Sequence, residues 1–348
     1  MTERTTERGR IQVTGFDPER VTERDPLSGW TEETGTETKS RWKRVFGRFV
    51  RNRTAMIGLV VVLFMSLLAI LARPVEFFGF AVQPLSLAPY PPGDMLYADP
   101  TVDVSRNEAP SWAHPFGTDG SGRDIFSRVL YGGRYSISIG FVVVALAASF
   151  GMVYGSVSGY YGGWVDEIMM RVVDVVLAFP MLVLALVIVA MFGGGYWQLV
   201  AAFAVVGWAS YARLIRGEVL TIKENEYVLA AKALGARDRS VILKHVTPNA
   251  VAPVIVLATL NIGTVVIGVA ALGFLGLGMP PGSAEWGSML EGGRDAIIPG
   301  PGGEIRWWIT VFPGAAIFLF VMSMNMIGDG VNDALDAQET GAEMRGGQ

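Results

Sequence analysis

Long apolar runs separated by polar segments are the first feature of the sequence. A hydrocarbon core about 30 Å thick takes roughly 20 apolar residues in a helix. Six stretches approach that length: Ala55–Ala72, Ile137–Val157, Val172–Phe192, Trp197–Ala212, Val251–Gly278 and Trp307–Ile327. The second contains no charge, the third holds Asp174 and Pro180, and the fourth is the shortest. The pattern predicts an all-α membrane protein with six transmembrane helices. The residues before Ala55 are mostly polar, whereas a cleavable signal would place its apolar run much nearer the start. Met1–Thr38 is rich in Thr, Glu and Arg and poor in large apolar residues. That composition predicts a disordered cytosolic arm over residues 1–40.

Basic residues orient the spans. Lys39, Arg41, Lys43, Arg44, Arg48, Arg51 and Arg53 stand directly before the first run, and such a cluster is retained in the cytoplasm. Six crossings then return the C-terminus to the same side. The segment between the fourth and fifth spans also falls inside and carries Lys223, Lys232, Arg237, Arg239 and Lys244, with Arg213 and Arg216 at its entry. The turn at Gly159–Arg171 falls inside despite a slight acidic excess. Outside lie Arg73–Tyr135, Pro-rich and acidic at first, and Met279–Arg306, which ends at Trp307-Trp308, a candidate interfacial anchor. Small residues crowd the second span (Ala145, Ala147, Ala148, Ser149, Gly151, Gly155) and the fifth (Gly263, Gly268, Gly273, Gly276, Gly278). They allow close helix approach in lipid; a pathway lined by the fifth span is the alternative reading.

Composition agrees with a bilayer as solvent. Hydrophobic residues make up 51% of the chain and charged residues 17%; soluble domains carry about 25% charged residues. Mean hydropathy is +0.39. There is no Cys, which excludes disulfides and thiolate chemistry. A net charge of −4 argues against a nucleic-acid partner.

The most informative polar segment is Asn225-Glu-Tyr-Val-Leu-Ala-Ala-Lys-Ala-Leu-Gly235, continuing to Pro248-Asn249. It reads as helix, turn, helix. Asn225 suits an N-cap and Glu226 the positive end of the helix dipole. Gly235 can adopt the left-handed conformation that ends a helix. Asp238 is placed to cap a second helix and Pro248 to close it. Tyr227, Ala230, Ala231 and Leu234 share one face by their spacing. That face fits a groove on another protein or a seat on this one, and the residues alone leave both open.

This segment resembles the EAA loop of binding-protein-dependent ABC permeases. Ala230, Ala231, Gly235 and Pro248 match its pattern; Leu229 occupies the Glu position, and an acid stands three residues earlier at Glu226. The form here is similar to the dipeptide and oligopeptide branch. Three further stretches match that branch: His114–Asp124 with Ser127–Arg134, Leu272–Pro281 with Glu285–Leu290, and Gly328–Asp336. The Arg48–Leu63 region, with Asn52, fits its N-terminal extension. The likeness runs from about residue 42 to residue 337. It implies a type I importer permease with an extension over 41–135, a core over 136–337 containing a coupling loop at 217–249, and a cytosolic tail at 338–348. It implies ATPase subunits as partners, coupled through Glu226, Tyr227, Ala230, Ala231, Leu234, Gly235 and Pro248. It also implies a second homologous permease, an extracytoplasmic binding protein, a cell-membrane location with both termini cytoplasmic, and no cofactor. Peptides are the implied substrate; nickel chelates, glutathione and oligosaccharides are the alternatives within the class.

No Gly-x-x-x-x-Gly-Lys-Ser/Thr segment occurs, so ATP hydrolysis would belong to a separate subunit. Rival readings are an intramembrane enzyme and a membrane scaffold. His114, Asp119, Ser121 and Asp124 contain a nucleophile and a base, but their Gly-rich setting predicts turns in which Asp and Ser bond local backbone. Asp174 is expected to pair with Arg171, three residues before it, and Asp329 to sit at a helix end. His245 has no companion ligands for a metal. No catalytic or metal residue is therefore assigned, and the substrate-binding residues are left open.

Overall fold

The computed structural model describes residues 41–77, 80–83, 85–98, 105–296, 298 and 304–346; the arm expected over 1–40 falls outside them. The chain divides into two compact units, Met1–Arg44 and Val45–Gln348, and the second carries the architecture. In chain order the helices are α1 (Arg41–Phe49), α2 (Arg53–Leu71), α3 (Ile125–Tyr161), α4 (Gly163–Leu177), α5 (Met181–Phe192), α6 (Tyr196–Ile222), α7 (Glu226–Ala233), α8 (Asp238–Val241), α9 (Thr247–Phe274), α10 (Trp286–Gly292) and α11 (Trp308–Gly346). A short antiparallel hairpin, β1 (Val75–Phe77) with β2 (Phe80–Gln83), follows α2. Among the described residues five helices are long and apolar enough to cross a membrane, and the bent pair α4–α5 brings the number to six when it is counted as one span.

Every span but the first departs from the sequence expectation: α3 begins at Ile125 rather than Ile137, α6 runs on to Ile222 rather than Ala212, and three spans differ further. The third is broken: α4 and α5 meet at 81°. Pro180 lacks an N–H, and its ring disfavours helix at Phe179, so the run Val172–Phe192 cannot continue straight. The fifth begins early, because Pro248 does not close a second loop helix. A π-turn at Ile242–Val246 bonds the Thr247 N–H to the Ile242 carbonyl, and α9 runs on with Pro248 in its first turn, where a missing N–H costs little. The sixth does not stop at Ile327; α11 continues to Gly346, so Asp329 is an exposed position within a helix rather than at its end.

Glycines set the bundle. Gly151, Gly155 and Gly159 fall four apart on α3 and face Trp208, Ala212 and Arg216 of α6. A Cβ at Gly151 would lie 2.5 Å from the Trp208 carbonyl oxygen, and one at Gly155 would overlap the Ala212 carbonyl. The backbones therefore touch directly, which is how helices gain dispersion energy in lipid. On α9, Gly263 faces Val321, Gly268 faces Phe203 and Gly273 faces Gly287, so close packing accounts for these positions. Asn52 caps α2, accepting the Ala55 N–H at 3.2 Å, and its amide reaches Asp333 of α11 at 3.1 Å. Arg134 of α3 caps the other end of α2, donating to the Ala69 and Ile70 carbonyls at 2.7 Å and to that of Arg73.

The two segments expected outside fold together into a polar cap. Arg128, buried, donates to the carbonyls of Pro92, Gly282 (3.0 Å) and Ser283 (2.8 Å). Trp308 is buried and donates to the Thr118 carbonyl at 3.2 Å. It is thus a packing residue, and only Trp307 of the expected anchor pair is substantially exposed. Glu285 is fully buried at the start of α10. One oxygen accepts from the Gly287 N–H and the Ser136 hydroxyl, the other from the Ser288 N–H and hydroxyl. Burial pushes this carboxyl above the usual range, and the four donors oppose that shift. The folded carboxyl therefore holds its proton more tightly than the unfolded one. The burial penalty is absent at acid pH and is incurred as pH rises through the raised value.

Gly155→Leu is expected to force α3 and α6 apart at a cost of about 2 kcal/mol or more, read as a lower unfolding temperature in detergent. Glu285→Gln is expected to destabilise by about 1–3 kcal/mol, because the amide NH₂ must face a backbone N–H whichever way it is turned. The same thermal assay checks it against Glu291→Gln in the same cap.

Candidate functional site

The loop between α6 and α9 is built on α6, whose last turn lies against the end of α3. Lys223 leaves that turn and donates from Nζ to the Gly159 carbonyl at 3.0 Å, placing a cation at the negative end of α3. Asn225 takes the extended N-cap conformation (φ −69°, ψ 143°) as expected, although its side chain makes no capping bond. α7 follows and ends in a pair of bonds: Ala236 N–H to the Ala231 carbonyl at 3.1 Å and Gly235 N–H to the Lys232 carbonyl at 2.9 Å. This six-to-one, five-to-two pattern requires a left-handed residue, and Gly235 supplies it at φ +82°.

One side chain of α7 is buried, on its inner face. Val228 is fully buried in a cluster that includes Ile222, Val241, Ile242 and Val246. The opposite face is open. Glu226, Tyr227, Leu229, Ala230, Leu234 and Gly235 are exposed, Leu234 at 89%, while Ala231 is half-buried. Tyr227, Ala230 and Leu234 thus share an exposed face, and the seat on the protein itself belongs to Val228. Pro248 lies away from this face, in the first turn of α9.

Polar anchors hold the loop where the apolar seat is small. Tyr160, the penultimate residue of α3, is buried and donates from its hydroxyl to Asp238 Oδ1 at 2.6 Å. Asp238 therefore does not cap α8, whose N-cap is Arg237. Lys232 of α7 places Nζ 4.5 Å above the Tyr160 ring, within cation–π range. Thr247 donates to the Ser156 hydroxyl at 3.3 Å. At the start of α4, Asp166 accepts Arg216 Nη2 at 2.6 Å and the Ser158 hydroxyl at 2.5 Å. The end of α3 thereby meets α4, α6, α7, α8 and α9 within one turn or so. These anchors tie the back of α7 and its loop to the ends of the spanning helices.

Other sequence candidates fall elsewhere. Asp174 pairs with Arg213 of α6 at 2.6 Å, and Arg171 with Glu167 at 3.7 Å. The expected Asp174–Arg171 pair does not form, because the neighbouring helix offers a better-placed guanidinium. His114 and Asp124 meet in the outer cap at 2.9 Å, both buried. The other Asp124 oxygen caps α3 through the Ser127 N–H, and Ser121 gives its backbone N–H to Asp119. This is the local backbone bonding expected of a turn. The His245 carbonyl accepts the Asn249 amide at 2.7 Å, and no metal-ligand cluster occurs among the described residues. The Tyr160, Lys223 and Asp166 anchors escaped sequence reasoning, since their partners lie 50 or more residues away and no spacing rule links them.

Comparison with known proteins bears on what such a loop serves. Residues 151–340 match the binding-protein-dependent transport system inner membrane component family, and residues 40–110 match the N-terminal TM domain of oligopeptide transport permease C. A dipeptide transport system permease protein of Alkalihalophilus pseudofirmus is 40% identical over 85% of this chain and 90% of its own length. An oligopeptide transport system permease protein of Bacillus subtilis is 37% identical over 89% and 93%. A glutathione transport system permease protein of Pectobacterium atrosepticum is 37% identical over 86% and 91%. With more than half of the chain inside the first family's bounds and relatives matched along nearly their whole length, this multi-pass membrane protein belongs to the binding-protein-dependent transport system inner membrane components.

Proposed function

We propose that the chain is a permease subunit of an ATP-driven peptide importer, forming half of the translocation pathway and coupled to a separate ATPase through α7. The observation that carries the coupling is the exposed face of Tyr227, Ala230 and Leu234 on a helix whose back is anchored to the ends of the spanning helices. Glu226 supplies charge at the start of α7, Ala230 and Ala231 keep its middle flat, and Gly235 ends it. Pro248 stands just after the π-turn that leads into α9. Leu229 stands where the family pattern has Glu, so docking here uses an apolar contact at that point. The chain divides into an arm (1–40), an extension (41–135), a core (136–337) and a tail (338–348). Both termini lie in the cytoplasm, a reading that rests on the basic residues before α2.

Peptide is the favoured cargo because the relatives at 40% and 37% identity are named for dipeptide and oligopeptide transport. Glutathione, named in a relative of similar identity, is itself a tripeptide and shares the amide chemistry. The working cycle is alternating access. ATP binding closes the ATPase pair, α7 moves with it, and the anchors at Gly159, Tyr160 and Asp238 carry that movement into α3 and α9. The two states must differ in their contacts at α7 for ATP to bias them. A second permease chain completes the pathway, and an extracytoplasmic binding protein delivers the peptide.

Purification of the tagged chain from its native membrane in mild detergent is expected to bring with it a P-loop ATPase and a second six-span permease, identified by mass spectrometry. Leu234→Asp is expected to remove the ATPase while leaving the permease pair; recovery of the chain alone in several detergents would overturn the assignment. Gly235→Val places a β-branched residue at positive φ, a cost of about 1–2 kcal/mol that α7 can relieve by shifting. The expected result is a normally inserted complex that hydrolyses ATP without peptide uptake, and normal uptake would remove Gly235 from the coupling element.

A further inference from the structure

Three features that the coupling role leaves unused lie together on one side of the bundle. The first is the Arg213–Asp174 ion pair, 2.6 Å long with both side chains 55% exposed. Arg213 stands seventeen residues along α6 from Tyr196, about 25 Å at 1.5 Å per residue, which puts it toward the inner end of that span. The second is the break between α4 and α5. α5 has 12 residues, so the break at Ala178, Phe179 and Pro180 lies about 18 Å from the outer end of that helix, and all three residues are exposed. The third is a cavity of about 80 Å³ whose lining includes Met181, Ser210, Tyr211, Asn261 and Thr264. Met181 is the first residue after the break, Asn261 donates to the Tyr211 hydroxyl at 3.0 Å, and Ser210 and Thr264 are exposed.

Such features favour protein or water over lipid. Charged side chains at membrane depth face a bundle interior or a water-filled cavity, and irregular backbone at that depth is tolerated only where protein or water covers it. Among the described residues Arg213 donates only to Asp174, which leaves most of its five N–H donors requiring acceptors at that depth. The Ser, Asn and Thr groups put donors and acceptors around one cavity, unlike the backbone-to-backbone glycine seam that joins α3 to α6. We propose that this face, framed by the α4–α5 break, α6 and α9, is the chain's wall of the translocation pathway, with the Arg213–Asp174 pair as its inner gate. Ser210, Asn261 and Thr264 offer hydrogen-bond donors and acceptors to a peptide backbone in passage. The pair holds the inner end shut, and when it opens Arg213 is free to meet a peptide carboxylate or carbonyl. This inference rests on the importer reading above.

The native chain has no Cys, so single cysteines report cleanly. Ser210→Cys and Thr264→Cys are placed in the full transporter complex, in inside-out vesicles of the native membrane, and treated with a charged, membrane-impermeant maleimide. Val60→Cys on α2, an exposed apolar position, is the lipid-facing reference. Because the thiolate is the reactive form and needs water, both pathway positions are expected to label about tenfold faster than Val60→Cys in at least one nucleotide state, with a tripeptide slowing them. Asp174→Asn is expected to raise the Ser210→Cys rate in the nucleotide-free state about fivefold, the scale of a half-exposed ion pair. The exchange Asp174→Arg with Arg213→Asp is expected to restore it. Labelling no faster than Val60→Cys in every state would mean that the face is buried against the second permease, and would overturn the proposal. Fast labelling unchanged by Asp174→Asn would overturn the gate. ATP-dependent tripeptide uptake by the unmodified complex is measured alongside: its absence counts against the importer reading itself, whereas uptake with unlabelled positions counts only against this pathway.

Discussion

Where α3 crosses α6, Gly151, Gly155 and Gly159 bring one backbone directly against Trp208, Ala212 and Arg216 of the other. In water such a contact would be secondary to apolar burial. In a bilayer the lipid tails are as apolar as any side chain, so close backbone approach and interhelical hydrogen bonds take over as the sources of attraction. Much of the fold can be traced to that crossing. It fixes the depth of Tyr160 and Gly159 at the end of α3, and from these two residues hang the anchors to Asp238, Lys232 and Lys223. It also sets α6 so that Arg216 meets Asp166 and Arg213 meets Asp174.

The two ends of the bundle solve the problem of buried polar groups in different ways. The outer cap buries charge and satisfies it locally: Glu285 has four donors on its two oxygens, and Arg128 has three carbonyls. Such a network is rigid, because removing any member strands another in a low-dielectric site. The loop end leaves its working face exposed and places its polar bonds behind it. One end is thus a closed polar network and the other an anchored helix with an open face.

The family resemblance and the physical reading support each other at the loop without being the same argument. The motif names Ala230, Ala231 and Gly235. The structure adds that Gly235 is left-handed, that Val228 and not the Tyr227–Leu234 face supplies the seat, and that Leu229 presents an apolar side chain where the family has an acid. Pro248 belongs to the motif for a reason different from the one its position suggests. It marks a π-turn inside one continuous helix rather than a helix end.

The number and order of the apolar runs, the Asn225 start and Gly235 stop of α7, and the turn bonding of Asp119 and Asp124 were all legible in the sequence. Each depends on hydropathy over one helix length or on the stereochemistry of a few consecutive residues. What the sequence could not specify were choices among distant partners. Asp174 takes Arg213 over the nearer Arg171, Asp238 takes Tyr160 over its own helix, and Trp308 turns inward to Thr118 rather than to the interface. The bend at Pro180 was visible as a Pro, but its 81° and its exposure depend on what α6 and α9 leave open beside it. Local periodicity determines that a helix forms and how long it is. Only the packing of one helix against another determines which of its faces meets protein, lipid or water, and so which polar groups are brought together.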